Sequence, residues 1–168
     1  MPVRAYDIVD LTERYKADSH GFFLNVKRWK KFKSKHRLDW QKTRFEAANV
    51  SAIPSERGIY AFTLELSPTK LPAHGYIMYV GITGNTSSSN LRRRYAQYLR
   101  ELSDPKGRPR VVFMLNKWNG DLFFNFVPLP KQSVDLDKLE KAMLDAIIPP
   151  INQRDFNAEI ASARKAAF

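Results

Sequence analysis

Residues 75–102, GYIMYVGITGNTSSSNLRRRYAQYLREL, constrain the fold most, because strand, loop and helix patterns follow one another there without a gap. Tyr76-Ile77-Met78-Tyr79-Val80 is β-branched and aromatic and stops at Gly81, as a short strand does. Alternation along it puts Ile77 and Tyr79 on one face and Met78 and Val80 on the other. Gly84-Asn85-Thr86-Ser87-Ser88-Ser89 cannot fill a core and reads as loop. Asn90 then offers an N-cap for a helix that opens with Arg92, Arg93 and Arg94. Three cations there oppose the helix macrodipole, so they point to an anionic partner rather than to local stability. At about 100° per residue, Leu91, Tyr95, Tyr98, Leu99 and Leu102 form one apolar stripe. Arg93 and Arg100 face away from that stripe, and Arg94 flanks it.

The other segments supply partners for this unit. Gly58-Ile59-Tyr60-Ala61-Phe62-Thr63-Leu64-Glu65-Leu66 alternates as a strand, with Tyr60, Phe62, Leu64 and Leu66 on one face. Pro68, Pro72 and Gly75 turn the chain back, which predicts an antiparallel hairpin with a long tip. Val111, Met114, Leu115 and Trp118 recur at helical spacing and favour a helix, although Val112 and Phe113 leave a strand as the alternative. Residues 122–129, LFFNFVPL, read as a third strand that Pro128 and Pro130 bring to an end. A helix over residues 136–148 is closed by Pro149-Pro150, and residues 153–168 read as a terminal helix. Residues 1–25 mix charges and aromatics without a period and carry no assignment.

The chain of 168 residues suffices for one core, and its formal net charge of +11 calls for a polyanion, nucleic acid ahead of anionic membrane. No apolar run approaches the roughly 20 residues of a membrane span, and no signal-like apolar segment opens the chain. The expected location is therefore the cytoplasm, on the nucleoid in a bacterium. The absence of cysteine excludes disulfides, thiolate metal sites and a cysteine nucleophile. His20, His36 and His74 are too scattered for a histidine zinc cage.

The positive charge is concentrated early. Residues 26–45, VKRWKKFKSKHRLDWQKTRF, hold nine Lys and Arg against one acid, Asp39, with Trp29, Phe32 and Trp40 interleaved. Lys27, Arg28, Lys30, Lys31, Lys33 and Lys35 can hold phosphates while the aromatics stack on bases or anchor the stretch to a core. The plainer alternative is a solvated basic face. On the 136–148 helix, Leu136, Leu139, Met143, Leu144 and Ile147 form an apolar stripe, and Glu140 falls inside it. A carboxylate on a buried face must be ion-paired, hydrogen-bonded or bound to a metal.

Taken in order, Gly58-Ile59-Tyr60, Tyr79-Val80-Gly81, Arg94, Glu140 and Asn152 resemble the GIY-YIG nuclease family, with valine for the usual isoleucine in the second tripeptide. Asn90-Leu91-x-x-Arg94-x-x-x-Tyr98 matches the family's helix pattern, which selects Arg94 over Arg92 and Arg93. The resemblance covers residues 58–152 as a nuclease-like domain. It leaves residues 1–50 as a basic extension that matches nothing, and 153–168 as a helical tail. It implies an α+β fold with a small three-stranded, mainly antiparallel sheet flanked by helices. It further implies hydrolysis of DNA phosphodiester bonds, with RNA as the alternative nucleic acid. In this scheme Glu140 holds Mg²⁺ or Mn²⁺, Arg94 clamps the phosphate, and Tyr79 is the general base. Tyr60 supports or shares that role, and Asn152 orients the phosphate or a tyrosine. Arg92 and Arg93 join the early lysines as nucleic-acid contacts. The competing function is a basic DNA- or RNA-binding module on a degenerate nuclease fold that never cuts.

Overall fold

The computed structural model describes residues 7–66, 70–104, 106–153 and 158–167. Strands β1 (Gln41–Arg44), β2 (Gly58–Leu66), β3 (His74–Thr83) and β4 (Leu122–Pro128) form one antiparallel sheet in the order β1-β4-β2-β3. Among the described residues six α-helices accompany it: α1 (Ile8–Ala17), α2 (Val26–Lys31), α3 (Leu91–Glu101), α4 (Pro109–Lys117), α5 (Leu136–Ile147) and α6 (Ala158–Ala167). The α+β class holds, but the sheet has four strands where three were expected. The added strand, Gln41-Lys42-Thr43-Arg44, has no apolar alternation to betray it. It forms because backbone pairing with β4 satisfies its amides and carbonyls. Lys42 and Arg44 then lie over the Phe123 ring, at 5.0 and 5.1 Å from its centroid. The stretch read as an extension thus reaches into the sheet.

The sheet separates two cores. On one face Tyr60, Phe62, Leu64, Met78, Phe124 and Phe126 pack against Leu91, Tyr95 and Tyr98 of α3 and against Val111, Met114 and Leu115 of α4. On the other, Ile59, Ala61, Val80 and Val127 pack against Leu136, Leu139, Met143 and Leu144 of α5. Of the α3 and α5 stripes, Leu99, Leu102 and Ile147 are partly buried and the rest are buried, and residues 109–117 are helix, which settles the strand alternative. Asn90 caps α3 by accepting from the Arg93 amide at 2.9 Å, and Asp135 caps α5 through Lys138. Helix α5 ends at Ile148, whose φ of 50° is left-handed, just before Pro149-Pro150. No helix among the described residues is long and apolar enough to cross a membrane.

The expected alternation in β3 fails at one place. Phe62 pairs with Tyr79 but Thr63 pairs with Ile77, so Met78 is an extra residue, a β-bulge. Its effect is to put Met78 and Tyr79 together on the aromatic side, while Ile77 and Val80 serve the aliphatic side. Alternation assumed a regular pleat, which an inserted residue breaks. Both tripeptide glycines are required by close approach. A Cβ on Gly58 would stand 2.2 Å from the Val127 carbonyl oxygen across the β2–β4 ladder. A Cβ on Gly81 would stand 2.4 Å from the Tyr60 hydroxyl, so Gly81 makes the room in which that hydroxyl lies.

Candidate active site

The bulge and the α3 stripe bring three tyrosines to one place. Tyr60 of β2 and Tyr98 of α3 share a hydrogen bond of 2.9 Å between their hydroxyls. The Tyr79 ring lies 6.4 Å from Tyr60 and 6.2 Å from Tyr98, centroid to centroid. Their environments differ sharply. Tyr60 is 2 % exposed and Tyr98 0 %, whereas Tyr79 is only half-buried. Burial pushes the Tyr60 phenol far above its ordinary value, and neighbouring Tyr79 adds to this while Arg94 and the Tyr98 bond pull weakly the other way. Tyr98 is raised well above it too, first by burial and then by its two tyrosine neighbours. Both phenols therefore stay neutral in use and act as hydrogen-bonding groups. Tyr79 is the hydroxyl of the three that reaches the surface.

Two arginines flank the tyrosines. Arg94, half-buried on α3, donates from Nη1 to Gln97 Oε1 at 2.8 Å. Its buried Nε meets no acceptor among the described residues. Arg108, the residue before α4, donates from Nη1 to the Tyr79 hydroxyl at 3.4 Å. It also grips Glu101 with Nη2 at 3.1 Å to each oxygen and with Nε at 3.3 Å. Gln97 Nε2 donates to Glu101 Oε1 at 2.8 Å, which joins the two arginines. Sequence reasoning missed Gln97, Glu101 and Arg108. A signal existed for the first two: three and seven places beyond Arg94, they share its side of the helix. Arg108 gave none, since it lies in a loop.

The remaining expected residues fall in different places. Asn152 is 6 % exposed, and its amide both accepts from the Val80 amide and donates to the Val80 carbonyl, each at 2.9 Å. It thus pairs with the backbone of β3 beside Tyr79 and fixes it there. Glu140 is partly exposed on α5, the helix that packs on β3 from the aliphatic side. Among the described residues no three Asp, Glu or His side chains gather as a metal cluster. Mg²⁺ and Mn²⁺ keep several waters and take oxygens from one or two carboxylates and from a substrate, so they do not require a cluster of three such side chains.

The arginines at the start of α3 are more local than expected. Arg92 donates to the Ile53 carbonyl at 2.7 Å and the Ser51 carbonyl at 3.3 Å, and Arg93 to the Ser88 carbonyl at 3.2 Å. These bonds offset the unfavourable dipole, so their charge does not by itself require an anionic partner. Another arginine overlooked in the sequence, Arg57, is 7 % exposed and braces the loop after β3. It donates to Gly84 O and Asn85 Oδ1 at 3.0 Å each, and also to the Lys131 and Val134 carbonyls.

The basic stretch is divided. Phe32 and Leu38 pack against the aliphatic core, and Arg28 Nη1 reaches the Asp145 carbonyl at 3.5 Å, so α2 is fastened to α5. Lys27, Lys30, Lys31, Lys33 and Lys35 are exposed, and no salt bridge among the described residues engages them. Trp29 and Trp40 stay 42 % and 41 % exposed, so of the three interleaved aromatics only Phe32 is a core anchor. The chain matches no protein-family model, no curated protein and no solved structure.

Proposed function

We propose that this protein is a metal-dependent endonuclease of the GIY-YIG type that hydrolyses phosphodiester bonds in DNA. The observation that carries the reading is the half-exposed Tyr79 hydroxyl beside the Arg108 guanidinium, backed by the buried Tyr60–Tyr98 pair. A surface phenol with a cation at its oxygen suits a proton acceptor, whereas two buried phenols suit a rigid support. A water oxygen bonds to phosphorus in line with the departing sugar oxygen, and the bond to that oxygen breaks. The water's proton passes to Tyr79 in its phenolate form, and the leaving oxygen takes a proton from solvent. Arg94 binds a non-bridging phosphate oxygen through its guanidinium fork. Glu140 would hold Mg²⁺ or Mn²⁺, which supplies charge neutralisation at the phosphate. Asn152 serves by keeping the Val80 backbone, and hence the adjoining Tyr79, in place. The net charge of +11 and the exposed lysines of α2 and the loop after it give the polyanion its affinity.

The test is incubation of the purified protein with single-stranded, nicked, flapped and duplex DNA, with Mg²⁺ or with chelator. Cleavage of at least one form, abolished by chelator and by Glu140→Gln while binding survives, is the expected result. Gln keeps the size of the side chain and loses the charge that holds the cation. Unchanged cleavage by Glu140→Gln removes the metal assignment. Tight binding without cutting of any form makes the protein a binding module instead.

A further inference from the structure

We propose that Arg108 is a second arginine of this site, a positioning residue that fixes the Tyr79 hydroxyl and balances the negative charge on its oxygen. The inference rests on the nuclease reading and adds to it a residue outside the five-part motif. Its ground is the way the guanidinium is held. Nη2 and Nε face Glu101 at 3.1 to 3.3 Å, which turns the Nη1 edge to Tyr79 at 3.4 Å. The plane lies over the Tyr98 ring, 5.2 Å from its centroid, so the fork is fixed in two directions. Lysine could not do this, because only a planar fork gives one edge to a carboxylate and another to a phenol.

Glu101 is 8 % exposed, an unusual place for a carboxylate unless it is held. It is held from two sides, by Arg108 and by Gln97 Nε2, while Gln97 Oε1 accepts from Arg94. Arg94, Gln97, Glu101, Arg108 and Tyr79 thus form one continuous polar chain along α3. Tyr60 faces the Tyr79 ring from β2 and Tyr98 faces it from α3. Among the described residues Arg108 is the cation that hydrogen-bonds the Tyr79 hydroxyl. An ion pair with a partly exposed partner is a modest source of stability. That is a weak reason to bury Glu101.

The experiment is single-turnover cleavage, with Mg²⁺, of whichever DNA form the wild type cuts. It compares Tyr79→Phe, Arg108→Gln and the two combined, with DNA affinity and melting temperature recorded alongside. Arg108→Gln should slow cleavage by about 10- to 100-fold, within the range for losing one charge-stabilising donor. Affinity should change by less than about threefold, since the group acts on the reacting hydroxyl. In the Tyr79→Phe background Arg108→Gln should add no further loss, because residues that act as a unit do not add. Losses that multiply in the combined variant, or wild-type cleavage by Arg108→Gln, overturn the proposal and leave the nuclease reading standing. A wild type that cuts no DNA form overturns both. If Arg108→Gln alone fails to fold because Glu101 is left unpaired, the Glu101→Gln/Arg108→Gln protein removes both charges. That variant should fold and stay slow; recovery to the wild-type rate would make the pair structural and sink the proposal.

Discussion

The two faces of the sheet solve the same burial problem with different materials. The aromatic face fills its space with Tyr60, Phe62, Phe124, Tyr95 and Tyr98, whose hydroxyls must find partners as they are buried. They do: Tyr60 and Tyr98 bond each other, and Tyr95 donates to backbone carbonyls at Arg44 and Glu46. The aliphatic face uses Ile59, Ala61, Val80, Leu136, Leu139 and Leu144, which carry no polar atom and need only volume. A face that imports hydroxyls into its core can hold reactive groups in fixed places. A face without them can only hold a helix, here α5, which brings Glu140 with it. Changes in the aliphatic core side chains should therefore show in stability, a change at the half-exposed Tyr79 in rate, and a change at a buried phenol in both.

The largest expected effect lies on the aliphatic side. Leu144 is fully buried there, and Leu144→Ala should lower unfolding free energy by about 2 to 5 kcal/mol in urea denaturation. The folded fraction should still cleave at the wild-type single-turnover rate. A variant that keeps its stability but cuts tenfold slower would break the division between the faces.

Tyr79→Phe is the counterpart on the aromatic side. It keeps the ring against its neighbours and removes the hydroxyl proposed as proton acceptor, so single-turnover cleavage should fall by about a hundredfold or more. Melting temperature and DNA affinity should hardly move. Tyr60→Phe differs, because it leaves the buried Tyr98 hydroxyl without its 2.9 Å partner. That should cost about 1 to 3 kcal/mol of stability, with a smaller loss of rate. Wild-type cleavage by Tyr79→Phe beside a dead Tyr60→Phe would exchange the two roles.

How much of this was legible depended on which elements carry a period. Helices α3 and α5 and strands β2 and β4 showed their apolar pattern plainly, and Asn90 marked the start of α3, whereas Val112 and Phe113 blurred the period of α4. Strand β1 was invisible because QKTR owes its place to backbone pairing and not to side-chain burial. The bulge at Met78 was invisible because it is a property of two strands in register, and one strand's sequence does not state its partner. It decides which way Tyr79 faces. Of the candidate site, the Tyr60 and Tyr79 rings lie 6.4 Å apart and Arg94 lies close enough to act on the Tyr60 phenol. Asn152 bonds backbone, and Glu101 and Arg108 look like ordinary surface charges until tertiary contact pairs them.

The faces should also part company at alkaline pH. Tyr60 and Tyr98 are raised above the ordinary phenol value of 10.0, chiefly by burial. A group raised in the folded state contributes stability fully below its unfolded pKa and loses it as pH climbs above that value towards the folded one. Unfolding free energy should therefore fall above about pH 10, by about 1.4 kcal/mol per pH unit for each buried phenol. Urea titrations between about pH 9 and 11.5 should show a shallower fall in Tyr98→Phe than in wild type. Leu144→Ala should run parallel to wild type, since it removes no titrating group. Parallel curves for all three proteins would mean that the buried phenols ionise as freely as exposed ones.

The smallest effect should come from the basic stretch, which is attached to the aliphatic side through Phe32, Leu38 and Arg28. Lys30 is exposed on α2 and makes no salt bridge among the described residues, so its charge is free to meet a phosphate. If it does, Lys30→Ala should lower the slope of log affinity against log salt by about 0.9 on duplex DNA, or about 0.7 on single strands. Over a fourfold rise in salt, a slope change of about 0.9 is about a 3.5-fold difference in how far affinity drops. Cleavage at saturating protein should be unchanged, because a distant phosphate contact binds ground state and transition state alike. Arg28→Ala gives the internal control. Its half-buried guanidinium is committed to the Asp145 carbonyl, so that change should act on the docking of α2 and on melting temperature more than on the salt slope. A folded Lys30→Ala protein with the wild-type slope would make α2 a solvated face, and the source of DNA affinity would then have to be sought on the aromatic side.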